Sequence, residues 1–401
     1  MTYLFQNDQN IDAFGRLRVS TPLTLFDSSH RYSDNGLWAT SNTTGGTYTF
    51  STNQGLIDLS VTAVSGSAVV RETTKVFAYQ PGKSLLVLTT FVMSPAKTNL
   101  VQRVGYFGAN NGMFIEQDGS TLYFVERSFV TGSIVETHIP QSQWNYDVFD
   151  GNGASGIVLD ITKAQIMFMD IEWLGLGSVR MGFVIDGKFY LAHTFHHANI
   201  ITTTYITTAC LPLRYEIFNT GTTSGASTLK QICSSVISEG GYELRGHQSA
   251  VSIPVATPYT MTTASTYYPI ISLRLKTTHL DAIIILTALS ILPTSPGNFH
   301  WRLNAGGITT GGTWVSAGAD SSVEYNITGT SFTDGRALGA GFVSATNQSA
   351  SNIDILKEAL FKFQLERNGL TSTPYEITLN VASGGASDTI LASLDWEEVS
   401  R

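Results

Sequence analysis

The sequence predicts an all-β protein: an extended N-terminal arm followed by two antiparallel β-sandwiches of jelly-roll or concanavalin-like type. Three observations carry this. Charged residues are only 13% of 401 residues while 42% are apolar, against about 25% charged in an ordinary soluble domain. The surface is therefore solvated by Thr, Ser, Asn and 37 Gly, and the Thr-rich runs favour extended backbone. Two short alternating segments joined by Asp-Gly recur, and alternation continues in both halves of the chain.

The elements follow in order. Residues 1–35 hold Asp12-Ala-Phe-Gly-Arg-Leu-Arg-Val-Ser20 and then Thr21-Pro22, where proline argues against a long helix. This reads as an extended arm with Phe14, Arg16, Leu17, Arg18, Leu25 and Phe26 as anchors. It is too short to bury them itself, so it lies on another surface, either this chain's own first domain or a partner; the anchors are assigned to partner binding. Residues 36–245 read as the first sandwich. Gly112–Gln117 and Ser120–Arg127 flank Asp118-Gly119, and Ser178–Ile185 and Lys188–His193 flank Asp186-Gly187, so each pair forms a hairpin whose Asp-Gly supplies the positive φ of a primed turn. Further strands are expected at 84–93 and 165–173. Residues 246–401 form the second sandwich, with strands near 267–275, 281–292, 298–303, 322–327, 360–365, 375–382 and 390–396. Ser351–Glu358 has a capped start and predicts one short helical turn.

Charge and composition exclude several functions. Twenty-three basic and 31 acidic side chains give a net charge of −8, and no stretch concentrates Lys or Arg enough to follow a phosphate backbone, so nucleic acid is not expected as a partner. The longest apolar run, 282–292, is too short to span a bilayer, and the N-terminus lacks the pattern of a signal peptide. Cys210 and Cys233 cannot make a disulfide framework or a metal site alone. No cofactor is expected. No G-x-S-x-G, phosphate-binding loop, H-E-x-x-H or paired C-x-x-C occurs.

Two stretches invite chemistry. His193-Thr-Phe-His196-His197 would suggest a metal, but in a strand His193 and His197 lie about 13 Å apart with His196 facing oppositely, so hydrogen-bonding roles are expected instead. Phe168-Met-Asp170-Ile-Glu172-Trp-Leu-Gly175 resembles the Glu-x-Asp-x-Glu strand of laminarinase-type glycoside hydrolases, which are concanavalin-like sandwiches. That resemblance implies a nucleophile first and an acid/base third. Phe168 occupies the nucleophile position, so the retaining mechanism lacks one of its two carboxyls, and no catalytic residue is assigned. A carboxylate from the nearby hairpin, Glu116 or Glu126, would have to substitute. Asp170, Glu172, Trp173 and Trp144 remain as glycan-binding candidates, because aromatic platforms beside polar groups hold sugars. Trp38, Trp301 and Trp314 also lie near Gly, Ser or Asn-rich turns, and core packing is the expected fate of each Trp.

Asp12–Ser20 with Leu25-Phe-Asp-Ser28, Tyr79–Ser84, Arg103–Gly108, Glu172–Gly177 and Leu211–Ile217 together resemble a group of tailed-bacteriophage virion structural proteins found in marine and cyanobacterial phages. The resemblance covers the arm and most of the first sandwich. It implies a non-enzymatic particle protein, in the tail, baseplate or fibre or decorating the capsid, which is assembled in the host cytoplasm. The implied partners are other virion proteins; closed rotational symmetry and long low-charge β surfaces favour a homotrimer, and the alternative reading is a carbohydrate-binding or degenerate laminarinase-like sandwich that engages a host surface glycan.

Overall fold

A computed structural model describes residues 20–241, 243, 245–333, 335–345, 351–352 and 363–400. The described residues form two antiparallel sandwiches, so the all-β expectation holds. In the first, an eight-stranded sheet runs from Lys188–Phe195 through Val179–Ile185, Gln165–Ile171, Leu85–Val92, Ser227–Ser238 and Leu56–Val61 to Thr47–Ser51. A seven-stranded sheet faces it, from Val135–Pro140 through Thr121–Ser128, Gly112–Asp118, Leu100–Phe107, Leu213–Asn219 and Ala68–Thr73 to Trp38–Thr43. Alternation explains the core: Met167, Met169 and Ile171 are buried from one sheet, Val104, Tyr106 and Phe124 from the other. Phe124 and Phe183 meet across the gap with ring centroids 6.2 Å apart.

The second hairpin turns on Asp186 and Gly187, with φ of 51° and 74°, as Asp-Gly requires. The first differs. Asp118 pairs with Thr121, so the turn is Gly119-Ser120, with positive φ at Gly119 only. Glycine as the first turn residue selects the turn type that needs one positive φ, which shifts the turn by one residue.

The arm assignment is corrected for two anchors; Phe14, Arg16, Leu17 and Arg18 lie outside the described residues. Leu23–Ser28 is a strand of the first sandwich, paired with Ser227–Ser238. A register shift between Thr24 and Phe26 turns consecutive residues Leu25 and Phe26 both inward, as bulges do. Phe26 packs on Phe77 and Trp38, at centroid distances of 5.0 and 6.0 Å. Burial of such side chains stabilises by about 2 kcal/mol each, so they serve this chain's own core and not a partner. Asp34, also within the expected arm, pairs with the buried Arg71. The first sandwich thus begins by residue 23 instead of 36.

The second sandwich packs a sheet built on Ile283–Pro293 and Asp388–Ser400 against a six-stranded sheet running Val315–Ser316, Val323–Asn326, Tyr268–Leu275, Ile377–Ser383, Asn298–Ala305 and Arg336–Ser344. Trp396, Phe299, Leu286 and Leu379 fill the space between. Of the expected helical turn, Ser351–Asn352 is instead a strand paired to Ile283–Pro293, and 353–358 lie outside the described residues.

The two sandwiches share an apolar contact. Val76, Ala78 and Cys210 of the first pack on Ile283 and Ile285 of the second. Residues 363–368 then run along the first sandwich as a strap. The Arg367 amide donates to the Thr74 carbonyl at 2.9 Å, and the Gln364 amide group donates to the Val76 carbonyl at 2.9 Å. The Arg367 guanidinium pairs with buried Glu72 at 2.6 Å. Removing Arg367 leaves the buried Glu72 carboxylate with Arg214 alone, and losing one charge-assisted contact there costs about 2 kcal/mol. Calorimetry should accordingly show one transition for the native chain and, for Arg367→Ala, a lowered and split one as the sandwiches unfold separately.

Candidate binding face

Asp170 is the penultimate residue of the strand Gln165–Ile171. Phe168 and Asp170 share its outward face, as period two dictates: Phe168 packs edge-on against Phe189 at 5.0 Å, and Asp170 lies directly across from Arg180 and pairs with it. The strand ends at Ile171, so Glu172 sits in the following turn, where its backbone amide donates to the Ser178 carbonyl at 3.1 Å. Its side chain is exposed and accepts from the Ser178 amide at 3.4 Å. Asp170, Glu172, Arg180, Thr194 and His196 border a groove of about 580 Å³.

Glu116 and Glu126, the carboxylates expected as substitutes, are committed elsewhere. Glu116 takes Arg103 at 2.5 Å and His138 at 3.1 Å on the other sheet. Glu126 pairs with His197 at 2.7 Å. Neither borders the groove with Asp170 and Glu172.

The tryptophans divide. Trp144 is buried, stacked on Phe124 at 4.2 Å, which corrects its assignment to a glycan platform: its indole completes the core between the sheets. Trp173 is half-buried, meets Tyr79 edge-on at 5.8 Å and donates to the Ile206 carbonyl at 3.3 Å. It borders a different cleft, of about 440 Å³, with Tyr79, Cys210 and Asp281. Trp38 and Trp301 are buried, and Trp314 is capped by Arg274 at 4.0 Å.

The three imidazoles point to three different tasks. His193 is buried and accepts from the Asn145 amide at 3.3 Å; burial, with the charge of His196, holds its pKa down at about 4. His196 faces the groove. His197 stacks on Tyr205 at 4.0 Å, with Nδ1 2.5 Å from the Gly177 carbonyl and Nε2 2.7 Å from Glu126. Both partners are acceptors, so the ring satisfies both only as an imidazolium with two donors. Among the described residues, no group of three or more His, Cys, Asp or Glu side chains is placed to hold a metal ion.

The feature that sequence reasoning missed is a ladder of charge on the outward face of the seven-stranded sheet. Register places Glu136 across from Arg127, Arg103 across from Glu116 and Glu216, and Arg214 across from Glu72. Arg214 bridges Glu216 at 2.6 Å and Glu72 at 2.9 Å. The guanidinium groups lie on Phe107 and Phe114, with Arg127 at 5.4 and 5.0 Å and Arg103 at 5.3 Å from Phe114. Arg214 and Glu216 at spacing two were its visible trace in the sequence.

No family model matches the chain, and no curated protein matches it. Among solved structures, a Bacteroides ovatus GH16 protein of a mixed-linkage glucan locus is 9% identical over 53% of this chain and 99% of its own, with a TM-score of 0.36. The CBM2 module of the evolved Dit of Lactobacillus casei BL23 phage J-1 is 6% identical over 56% of this chain and 100% of its own, TM-score 0.35. Peanut lectin is 10% identical over 55% and 98%, TM-score 0.31.

The His197 pair makes stability depend on pH. Burial lowers the ring's pKa, but the Glu126 hydrogen bond, the Gly177 carbonyl and the Glu126 charge outweigh it and leave the pKa raised. A raised folded pKa contributes stability fully below the unfolded value of about 6.5 and loses it as pH climbs through the folded value. His197→Gln should therefore cost about 2 kcal/mol at pH 6 and markedly less at pH 9, as urea unfolding at the two pH values will measure.

Proposed function

We propose that this chain is a non-enzymatic structural protein of a tailed-phage virion, anchored through residues 1–19 and assembling as a homotrimer, with a position in the tail, baseplate or fibre or on the capsid surface. The observation that carries the non-enzymatic part is the fate of the carboxylates. Asp170 is held by Arg180, Phe168 fills the nucleophile position with a packed ring, and Glu116 and Glu126 are each closed into ion pairs. Hydrolysis of a glycoside with retention needs two carboxyls about 5 Å apart flanking the bond, and the other carboxylate on the Glu172 groove, Asp170, is engaged by Arg180.

The particle role rests on the arm motif and its companion stretches, and on the welded junction, which suits a part that transmits load between its two sandwiches. A second reading, adhesion to a host glycan, is favoured by the open groove at Asp170 and Glu172 and by the exposed rings described below. Incubation with β-glucans should release no reducing ends, and release that disappears in Glu172→Gln would overturn the non-enzymatic reading. Deleting residues 2–19, while keeping the strand Leu23–Ser28, should leave thermal melting unchanged, with a trimer by sedimentation for the intact chain. The truncated chain should fail to enter particles; normal incorporation would refute the anchoring role.

A further inference from the structure

The second sandwich carries an aromatic cluster on an outward sheet face that its own core does not require. In the strand Asn298–Ala305, residues Phe299, Trp301 and Leu303 point into the core, so His300 and Arg302 face outward. The edge strand Arg336–Ser344 sets Phe342 across from His300 and Ala340 across from Arg302. Gly339 and Gly341 stand opposite Leu303 and Trp301; a Cβ on Gly341 would come within 2.8 Å of the Trp301 indole nitrogen. The glycines let the edge strand close on the indole, and the same alternation turns Phe342 outward, where it is 80% exposed. A large ring on an exposed sheet edge, grouped with His300, Arg302 and Tyr267, makes a patch suited to an interaction.

The surroundings of that ring say which ligand. Phe342 stacks on His300 at 4.5 Å and 21°, and His300 is steadied by a hydrogen bond between Nδ1 and the Tyr267 hydroxyl. With the phenol donating, the remaining imidazole proton lies on Nε2 as a donor for a ligand hydroxyl. Arg302 lies over the Tyr267 ring at 4.4 Å. Among the described residues it forms no ion pair, whereas Arg274 of the same sheet pairs with Glu324 at 3.0 Å. In a chain of net charge −8, a guanidinium with no carboxylate partner among the described residues is positioned for one from outside. His300 and Arg302 are two residues apart on one face, about 7 Å, which is the scale of one pyranose ring.

We propose that Tyr267, His300, Arg302 and Phe342 form a binding site for an acidic saccharide, whose ring lies on the open face of Phe342 and whose carboxylate takes the fork of Arg302. The ring planes and single guanidinium fit one carboxylated sugar, and the chain's net negative charge opposes a polyanion such as nucleic acid. This goes beyond the particle role proposed above and does not depend on it.

The test uses the full chain on a glycan array carrying uronic- and sialic-acid oligosaccharides beside their neutral counterparts, followed by saturation-transfer NMR with trigalacturonate and its methyl ester. Acidic glycans should be retained over neutral ones. Phe342→Ala, a surface change that leaves melting unaltered, should weaken binding tenfold or more. Arg302→Gln should abolish the preference for acid over ester. Failure to retain any acidic glycan, unchanged binding in Phe342→Ala, equal binding of acid and ester, or equal competition by polyglutamate would each overturn the assignment. Particle incorporation of Phe342→Ala reports on the structural role separately, and it should be normal.

Discussion

Glu72 is the point on which the two halves of this molecule turn. It is buried at the end of the strand Ala68–Thr73 and held between Arg214 of its own sheet and Arg367 of the strap from the second sandwich. A buried carboxylate is tolerated only when its charge is met and its lone pairs are used. Here two guanidinium groups meet it, one from each sandwich, so the condition for burying Glu72 is also the condition for docking the domains. Gly369 belongs to the same requirement: a Cβ there would stand 2.2 Å from the Glu72 carboxylate. The backbone bonds of the strap at Thr74 and Val76 and the small apolar cluster around Ile283 and Ile285 then close over the joint.

From Glu72 the ladder runs outward through Arg214, Glu216, Arg103, Glu116 and His138, with Arg127 and Glu136 at its far edge. In a chain with so few charges, this concentrates them where they face one another. The interleaved Phe107 and Phe114 rings lower the local polarity and take the guanidinium faces, while the carboxylates take their edges. Such a face is stiff and nearly self-neutralised. It presents little free charge, which leaves recognition to places where a polar group has been left uncommitted, as at Arg302.

The same logic separates the two regions that resemble binding sites. Around Asp170, the sequence places acids on a sandwich strand, but the structure gives Asp170 an internal cation and moves Glu172 off the strand. Around Phe342, the structure gives His300 and Arg302 aromatic neighbours, and among the described residues it pairs no carboxylate with Arg302. The first region is a groove with its charge largely spent, and the second is an open platform with a donor set in reserve.

Local rules in the sequence determined the class of fold, the second hairpin and most strand positions, because alternation and Asp-Gly act over two to eight residues and need no distant partner. They also set Phe168 where the resemblance to a hydrolase strand calls for a carboxylate. Tertiary structure decided what those rules could not reach. Leu25 and Phe26 became core residues because a bulge, invisible in composition, turns both inward against a strand more than 200 positions away. Trp144 and Trp173 look alike in sequence, yet one is sealed between sheets and the other borders a cleft. His193 and His197 were separated by what lies beside them, a donor amide for one and two acceptors for the other. Phe342 and His300 are 42 residues apart and become one platform only through the pairing of their strands. Burial and charge compensation depend on long-range neighbours, and for that reason the sequence alone specified the scaffold while the fold decided which of its side chains were left free to bind.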